Sequence, residues 1–244
     1  TFMQKGDFSG RNIKYGTREF AMGAIANGLY LTGLIVPFCG TFLTFSDYMR
    51  NSIRLAALGS LQVIYQFTHD SFFLGEDGPT HQPVEQLAAL RAMPKLQVIR
   101  PADSHEVIGA HLAALHYQGP TAIILSRQSL PALAGTDISF EIGVKKGAYI
   151  ILKEKQKPDF TLFASGSEVA LALDVAEALK RLDKDVRVVS FPSFELFDQQ
   201  PVEYRQEIVD GDLGKRVSIE AAVEMGWHKY IGRDGISICL ESFG

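Results

Sequence analysis

Polar side chains of catalytic type follow apolar runs of the sequence or lie in a nearby loop. His69 and Asp70 come directly after one apolar run, Arg127 follows another, and the loop Gly75–His81 adds a second histidine. If these runs are strands of one parallel sheet, their carboxyl ends meet at one edge, where such sheets bind ligands. A set of histidine, aspartate and arginine side chains there is suited to recognising a hydroxylated and phosphorylated small molecule.

Each of these side chains also has an interpretation that needs no ligand. Taken alone, His69 or His81 can be a hydrogen-bonded loop histidine. Asp77 can serve the turn that Gly78 continues, and Arg127 can pair with a carboxylate at a domain boundary. Residue types by themselves therefore leave the binding site open.

An aromatic repeat and one further carboxylate are equally ambiguous. Phe42, Phe45 and Tyr48 recur at three-residue steps, a spacing that is usual for core packing. Glu19 follows Thr17, a plausible helix N-cap, by two positions, where a carboxylate favours the helix dipole without further purpose.

The elements that must position these residues alternate between helix and strand. In the first half we predict helices and strands in the order Thr17–Leu31, Leu34–Phe38, Thr44–Leu58, Gln62–Phe67, a helix from Pro83, Gln97–Arg100, Ser104–Tyr117 and Thr121–Ser126. In the second half we predict Ala148–Leu152, Phe160–Ala164, Ser167–Leu182, Val186–Ser190 and Arg216–Glu220. Alternation of this kind implies parallel sheets covered on both faces. The sequence thus predicts two consecutive α/β domains with open, mostly parallel sheets, 1–128 and a smaller 146–244, joined by a linker 129–145.

Composition excludes several classes of partner. The 244 residues carry 24 Lys and Arg against 28 Asp and Glu, a net charge of −4, so neither nucleic acid nor an anionic membrane is an expected partner. Cys39 and Cys239 are far apart, with no metal-ligand spacing, and are expected to be reduced in a cytoplasmic protein. The apolar stretch Leu29–Thr44 is interrupted by glycine and proline, so it predicts no membrane helix.

The order of the motifs resembles that of transketolases, over essentially the whole chain. The matching segments are Tyr15–Phe20, Thr41–Tyr48, Thr68–Ser71, Leu74–Glu85, Ser126–Gln128 and, in the second domain, Gly166–Val169. The run Gly-Glu-Asp-Gly-Pro-Thr-His-Gln-Pro is the most specific of them. Relatives such as deoxyxylulose-phosphate synthase share its Asp-Gly-Pro-Thr-His core but not the Thr-His-Asp-Ser and Ser-Arg-Gln context.

This resemblance implies that residues 1–128 form the pyrimidine-binding domain of a thiamine diphosphate enzyme. Glu19 matches the catalytic glutamate that hydrogen-bonds the pyrimidine N1′ and shares its proton. Phe42, Phe45 and Tyr48 match the aromatic pocket that packs against the pyrimidine ring.

The resemblance also assigns substrate contacts. His81 matches a catalytic histidine that contacts a substrate hydroxyl or the developing alkoxide, and Asp77 matches the aspartate that reads the acceptor C2 hydroxyl. His69 and Arg127 match ligands of the sugar phosphate. The implied reaction transfers a two-carbon ketol unit from a ketose phosphate to an aldose phosphate, as in the pentose phosphate pathway.

The diphosphate half of the family's site has no counterpart in the sequence. That half uses Mg²⁺ held by a Gly-Asp-Gly motif and an asparagine in an amino-terminal domain, whereas Asp210-Gly211-Asp212 has the reverse order. We therefore expect the Mg²⁺ ligands elsewhere, both domains to be incomplete at their outer ends, and the chain alone to be inactive. No metal ligand is predicted within it.

Three interpretations of such a chain stay open. It can be a fragment of a complete transketolase, one subunit of a split transketolase, or a non-catalytic module for dimerisation or regulation. In the family the cofactor lies between the pyrimidine domain of one subunit and the diphosphate domain of its mate, which implies a homodimer or pairing with a diphosphate-binding domain.

The second domain has one further candidate feature. Ser165-Gly166-Ser167-Glu168 lies where a predicted strand turns into a helix. Such a turn can hold an anion at the helix N-terminus, or it can be a tight turn with capping residues.

Overall fold

Two helix-covered sheets follow one another along the chain. The computed structural model describes residues 1–209 and 211–244, so Asp210 of the Asp-Gly-Asp run lies outside the described residues. In the first half the elements are α1 (Glu19–Leu31), β1 (Phe38–Phe42), α2 (Ser46–Gly59), β2 (Ile64–Thr68), α3 (Gln86–Arg91), β3 (Gln97–Ile99), α4 (Ser104–His116) and β4 (Thr121–Ile124). Short 3₁₀ turns at Leu43–Phe45 and Phe72–Leu74 follow β1 and β2.

The first sheet is parallel, in the order β1-β2-β4-β3. Its inner strands β2 and β4 are almost wholly buried, which explains their continuous apolar character. Phe42, the last residue of β1, pairs with Thr68, the last residue of β2. The carboxyl ends of these two strands therefore lie side by side.

Helices α1 and α2 pack together beside β1 and share a buried polar contact. Asn27 donates from Nδ2 to the Ser52 carbonyl over 2.8 Å and accepts from the Tyr65 hydroxyl over 3.1 Å. Gly23 allows the close approach, because a Cβ there would stand 2.3 Å from Ser52 Oγ. Buried polar groups are thus satisfied where the two helices meet the sheet.

The elements of the second half are β5 (Tyr149–Leu152), β6 (Phe160–Ala164), α5 (Glu168–Lys180), β7 (Val186–Ser190), α6 (Phe194–Asp198), α7 (Val202–Val209), β8 (Lys215–Ile219), α8 (His228–Ile231) and β9 (Ile236–Ile238). The strands form a mixed sheet in the order β5-β7-β6-β8-β9. Only β5 runs antiparallel to its neighbour among these strands. The predicted fold class, two α/β units with mostly parallel sheets, is confirmed.

Several predicted elements need correction. The strand predicted at Leu34–Phe38 is wrong, because pairing begins only at Phe38 and the preceding apolar residues Leu34, Ile35 and Val36 are exposed. Helix α1 begins two residues after Thr17, and its N-cap is Arg18, which makes no side-chain capping bond. The short elements α6, α7, α8 and β9 are absent from the sequence prediction.

Across the described residues, no helix combines the length and the apolar character needed to cross a membrane.

Candidate active site

Three aromatic rings form a series where β1 passes into α2. The 3₁₀ turn Leu43–Phe45 has three residues per turn, so side chains three positions apart lie on one side. The ring centroids of Phe42 and Phe45 are 5.9 Å apart, and those of Phe45 and Tyr48 are 6.0 Å apart. Leu43 is fully buried, whereas Phe42 and Phe45 are half-buried and Tyr48 is 66% exposed. The aromatic side chains therefore form an accessible shelf, and Leu43 anchors the turn in the core.

Both loop histidines lie against this shelf. The His69 ring stacks on Phe42 with a centroid distance of 3.5 Å, and the His81 ring meets Phe45 edge-on at 5.2 Å. Because Phe42 pairs with Thr68, the residue after β2 necessarily falls beside the Phe42 ring. The structure thus brings five predicted site residues together: His69 and His81 lie against the three rings of Phe42, Phe45 and Tyr48, which we call the aromatic shelf.

Short hydrogen bonds orient the two imidazoles. Nδ1 of His69 lies 2.9 Å from the Thr68 hydroxyl, and Nδ1 of His81 lies 2.9 Å from the Thr80 hydroxyl. His69 has a φ of 59°, in the left-handed region that non-glycine residues rarely adopt. In both histidines Nδ1 faces a hydroxyl, which leaves Nε2 to face a ligand.

The loop that carries His81 needs glycine at two positions. Gly75 has a φ of 90° and Gly78 a φ of 74°, and an added Cβ at either meets open space, so backbone conformation is what selects glycine here. The His81 amide donates to the Gly78 carbonyl over 3.0 Å. Asp77 lies between the two glycines on the exposed side of this turn.

Asp77 and Arg127 lie within electrostatic reach of His69. Burial is the main cause that lowers the pKa of His69 below its ordinary value, and the Arg127 guanidinium lowers that pKa further. The carboxylates of Asp77 and Asp70 raise the pKa and offset only part of the effect. Near neutral pH the site therefore presents a neutral imidazole beside an exposed cation, and this pair can hydrogen-bond an anionic group.

Glu19 stands apart from these contacts. It is the first residue of α1 and half-buried, and among the described residues its carboxylate forms no hydrogen bond or ion pair. Gly23, one turn later, faces Met49 and Ser52 in the first half of α2, the helix that carries Tyr48. The Arg127 side chain likewise forms no ion pair within the described part of the chain, so the boundary ion pair considered from sequence is not seen there.

Asp70 does not belong to the accessible site. It is 2% exposed, and its Oδ2 accepts from Nε and Nη2 of the fully buried Arg100 over 3.0 and 2.7 Å. Arg100 also binds Glu168 and the Ser165 carbonyl, both in the second domain. The Ser165 hydroxyl donates to Glu220, which forms a bidentate ion pair with Arg91. Sequence reasoning missed this buried network, although a charged residue directly after an apolar run, such as Arg100, is the signal that could have found it.

Gly166, in the turn Ser165–Glu168, lies directly against this arginine. Gly166 has a φ of 58°, and an added Cβ would lie 2.7 Å from Nε and Cζ of Arg100. The tight turn is present, with the Glu168 amide donating to the Ser165 carbonyl over 3.3 Å, but Ser167 at the N-cap of α5 makes no side-chain capping bond. The capping part of that interpretation is therefore wrong, and the anion-site interpretation stays a prediction. The turn packs against a cation of the first domain.

The exposed groups suit one part of a thiamine cofactor better than the other. A flat heteroaromatic ring matches the half-buried aromatic shelf, since stacking and edge contacts need accessible ring faces. Among the described residues no group of three or more histidine, cysteine, aspartate or glutamate side chains could hold a metal ion. The accessible ring faces are therefore compatible with a flat heteroaromatic ring such as a pyrimidine.

Two family models match this chain, one in each half. Residues 1–132 match the transketolase pyrimidine-binding domain, and residues 147–244 match the transketolase-like C-terminal domain. The split-gene transketolase whose structure is titled an inactive beta4 tetramer has a TM-score of 0.79 and 25% identity, over 98% of this chain and 77% of that one.

Full-length transketolases are more similar still. The transketolase of Aquifex aeolicus is 50% identical over 98% of this chain and 36% of its own length. The structure of transketolase from Leishmania mexicana has a TM-score of 0.93 and 47% identity, over 100% of this chain and 35% of that one. The chain thus spans about a third of the length of the curated relatives it matches. On these matches and this architecture, the chain belongs to the transketolase family.

Proposed function

We propose that this chain supplies the pyrimidine-binding and sugar-binding half of a transketolase active site. The observation that carries the proposal is the aromatic shelf with His69 and His81 on it, at the carboxyl ends of β1 and β2. The substrates are a ketose phosphate donor and an aldose phosphate acceptor. When bound, thiamine diphosphate supplies the nucleophilic carbon and the electron sink for transferring the two-carbon unit.

The aromatic shelf orients the cofactor's pyrimidine and keeps water from it. Phe42 and Phe45 lie in nearly parallel planes, 9° apart, so a flat ring can pack along them. Leu43 holds the turn from beneath, which fixes the rings relative to the sheet. Exclusion of water from this face strengthens the polar contacts made beside it.

Glu19 is proposed to share a proton with the ring nitrogen N1′. Its free carboxylate has no other described partner, and it stands on α1, which packs against α2. A carboxylate at N1′ shifts the proton balance of the pyrimidine and so promotes removal of the reactive carbon's proton. General acid–base groups of this kind contribute about 10²- to 10⁴-fold to rate.

The histidines and their charged neighbours are proposed to bind the sugar. His81 contacts a hydroxyl near the reacting carbon and holds a proton there as charge develops on oxygen. Asp77, on the exposed side of the glycine turn, accepts from the acceptor C2 hydroxyl. His69 and Arg127 bind the terminal phosphate, which the neutral imidazole and adjacent guanidinium support.

Completion of the site is proposed to require a second polypeptide region. Diphosphate and Mg²⁺ would bind to a separate domain, in a homodimer or in a complex with a diphosphate-binding partner. The coverage of about a third of each curated relative supports this division. Two free cysteines, Cys39 and Cys239, support a cytoplasmic location.

The proposal is tested in the complete enzyme by replacing Glu19. Glu19→Gln should slow exchange of the cofactor's C2 proton for deuterium by at least about 100-fold, with little change in KM for the sugars. Glu203→Gln, which alters a first-turn carboxylate of α7, is the matched control and should leave exchange unchanged. A normal exchange rate in Glu19→Gln would remove this role from Glu19.

A second test uses the 244-residue chain itself. Supplied with thiamine diphosphate, Mg²⁺ and both sugar phosphates, it should show no ketol transfer, because the diphosphate has no binding group. Transfer by the pure chain would refute the proposed division of the site.

The alternative is a subunit of a split transketolase, which the likeness to the split-gene structure supports. The intact mass of the protein in its native source decides between the two. A mass of twice 26.9 kDa or more identifies a conventional enzyme. A mass near 27 kDa identifies a split subunit if a diphosphate-binding partner co-purifies, and a non-catalytic module if none does.

A further inference from the structure

Asp70, next to the proposed phosphate ligand His69, is held in the protein interior through only one of its two carboxylate oxygens. It directly follows His69, and only its Oδ2 is held, by Nε and Nη2 of Arg100. The other oxygen, Oδ1, is buried with no hydrogen-bond partner among the described residues. Loss of the arginine contact would leave a buried carboxylate unpaired, a state that proteins avoid by moving the group.

Arg100 is in turn held by the second domain. Its Nη1 donates to the Ser165 carbonyl over 2.9 Å and to a carboxylate oxygen of Glu168. Its backbone amide donates to the Pro192 carbonyl over 2.8 Å, and its carbonyl accepts from the Gly166 amide over 3.1 Å. A fully buried guanidinium bonded on so many sides has one available position.

His69 needs such a support because its own conformation is strained. Its φ of 59° lies in the left-handed region, which is energetically unfavourable for a non-glycine residue. The ring contact with Phe42 fixes the side chain, while the backbone is constrained by the buried residue that follows. A shift of Asp70 would therefore rotate the His69 backbone and move its imidazole off the aromatic shelf.

We propose that Glu168, Arg100 and Asp70 form a positioning relay by which the C-terminal domain holds His69 in place for the substrate's phosphate. The inference rests on the proposed function, in which His69 binds that phosphate. It gives the C-terminal domain a part in substrate selectivity. It also explains the Gly-Ser-Glu-Val motif: the glycine makes room for Arg100, and the glutamate binds it.

The test measures phosphate selectivity in the complete enzyme. The selectivity is kcat/KM for an aldose phosphate acceptor divided by kcat/KM for the same aldose without phosphate. His69→Ala should lower this ratio, which checks the proposed function. Asp70→Asn and Glu168→Gln should each lower it at least about tenfold, through KM for the phosphorylated sugar, because displacements of about 1 Å at a binding group have effects of that size.

A double variant separates positioning from general damage. Combined with His69→Ala, Asp70→Asn should cause no further loss of selectivity, because the relay acts through His69. Glu154→Gln is the matched control: it breaks another ion pair of the C-terminal domain, with Arg187, and should destabilise the protein without changing selectivity.

The possible results distinguish failure of the relay from failure of the proposed function. If His69→Ala lowers selectivity while Asp70→Asn and Glu168→Gln leave it unchanged, the relay is refuted and the proposed function stands. If His69→Ala leaves selectivity unchanged, His69 does not bind phosphate, and both the relay and that part of the proposed function are refuted. If Asp70→Asn fails to fold, Glu168→Gln alone tests the relay. Glu168 is separated from His69 by both Arg100 and Asp70, so its replacement does not alter the residue next to His69.

Discussion

Replacing Gly166 by alanine probes the contact between the two domains at its tightest point. The glycine has a φ of 58°, and an added methyl group would lie 2.7 Å from Nε and Cζ of Arg100 and 2.9 Å from its Cγ. Carbon contacts of that length do not occur, so either the turn or the arginine must move. Arg100 is fully buried and bonded to Asp70 and Glu168, and it cannot move without breaking an ion pair.

The expected loss of stability has two parts. Alanine in the left-handed region costs about 1–2 kcal/mol. Breaking a buried, hydrogen-bonded ion pair costs about 3–5 kcal/mol, because an uncompensated charge is left behind. Gly166→Ala should therefore lower the free energy of unfolding by about 4–7 kcal/mol, a large share of the 5–15 kcal/mol that is typical of a folded protein.

Urea unfolding of the 244-residue chain, followed by far-ultraviolet circular dichroism, measures this loss. Gly211→Ala is the matched control, because Gly211 has a φ of 85° but an added Cβ meets nothing within 4 Å. The control should show only the conformational cost of about 1–2 kcal/mol. If the two variants differ by less than about 1 kcal/mol, the contact with Arg100 does not stabilise the protein as argued.

Three further outcomes follow from the same structure. Arg127→Gln should raise the pKa of His69 and Asp77→Asn should lower it, as histidine NMR titration of the chain would show; shifts of the same sign would contradict the electrostatics described. Leu43→Ala should destabilise the chain by about 3 kcal/mol in urea titration, because Leu43 is fully buried beneath the aromatic shelf, and a loss under 1 kcal/mol would contradict that packing. Burial alone would raise the pKa of Glu220, but Arg91 and further partners lower it to about 2, so its stabilisation is complete above about pH 4.5 and is lost as the pH falls toward 2. Glu220→Gln should lack this acid-dependent loss of stability when unfolding is measured as a function of pH, and an unchanged pH dependence would contradict the argument.

Fully buried strands were the part of the fold best predicted from sequence. β6 and β7 occupy the residues predicted for them, since a short apolar run between turns has few alternatives. The run Leu34–Phe38 is just as apolar but is mostly exposed, and the pairing strand begins where that run ends. An apolar run favours burial, but its composition alone does not specify that it will be buried as a strand of the sheet.

In the candidate site, too, contacts between residues distant in sequence were the part that the sequence could not predict. The three-residue spacing of Phe42, Phe45 and Tyr48 suggested core packing, but the structure leaves Phe42 and Phe45 half-buried and Tyr48 exposed, so that interpretation is wrong. Only the family resemblance indicated that these rings form an accessible pocket. The contact between Arg91 and Glu220 joins residues 129 positions apart, and no local pattern specifies it. Short elements such as α8 and β9 were missed for a related reason: at three or four residues they depend on tertiary contacts for their formation.

The only tryptophan of the sequence gives the buried network an optical signal. Trp227 is fully buried and donates from Nε1 to Glu220 over 2.9 Å, with Phe191 and Phe194 against its ring. Indole emission moves to longer wavelength when the ring becomes hydrated. All of these neighbours belong to the second domain, so the ring becomes hydrated when the core of that domain opens. The molecule therefore carries an intrinsic fluorescent reporter of the C-terminal domain's own packing, readable without a label.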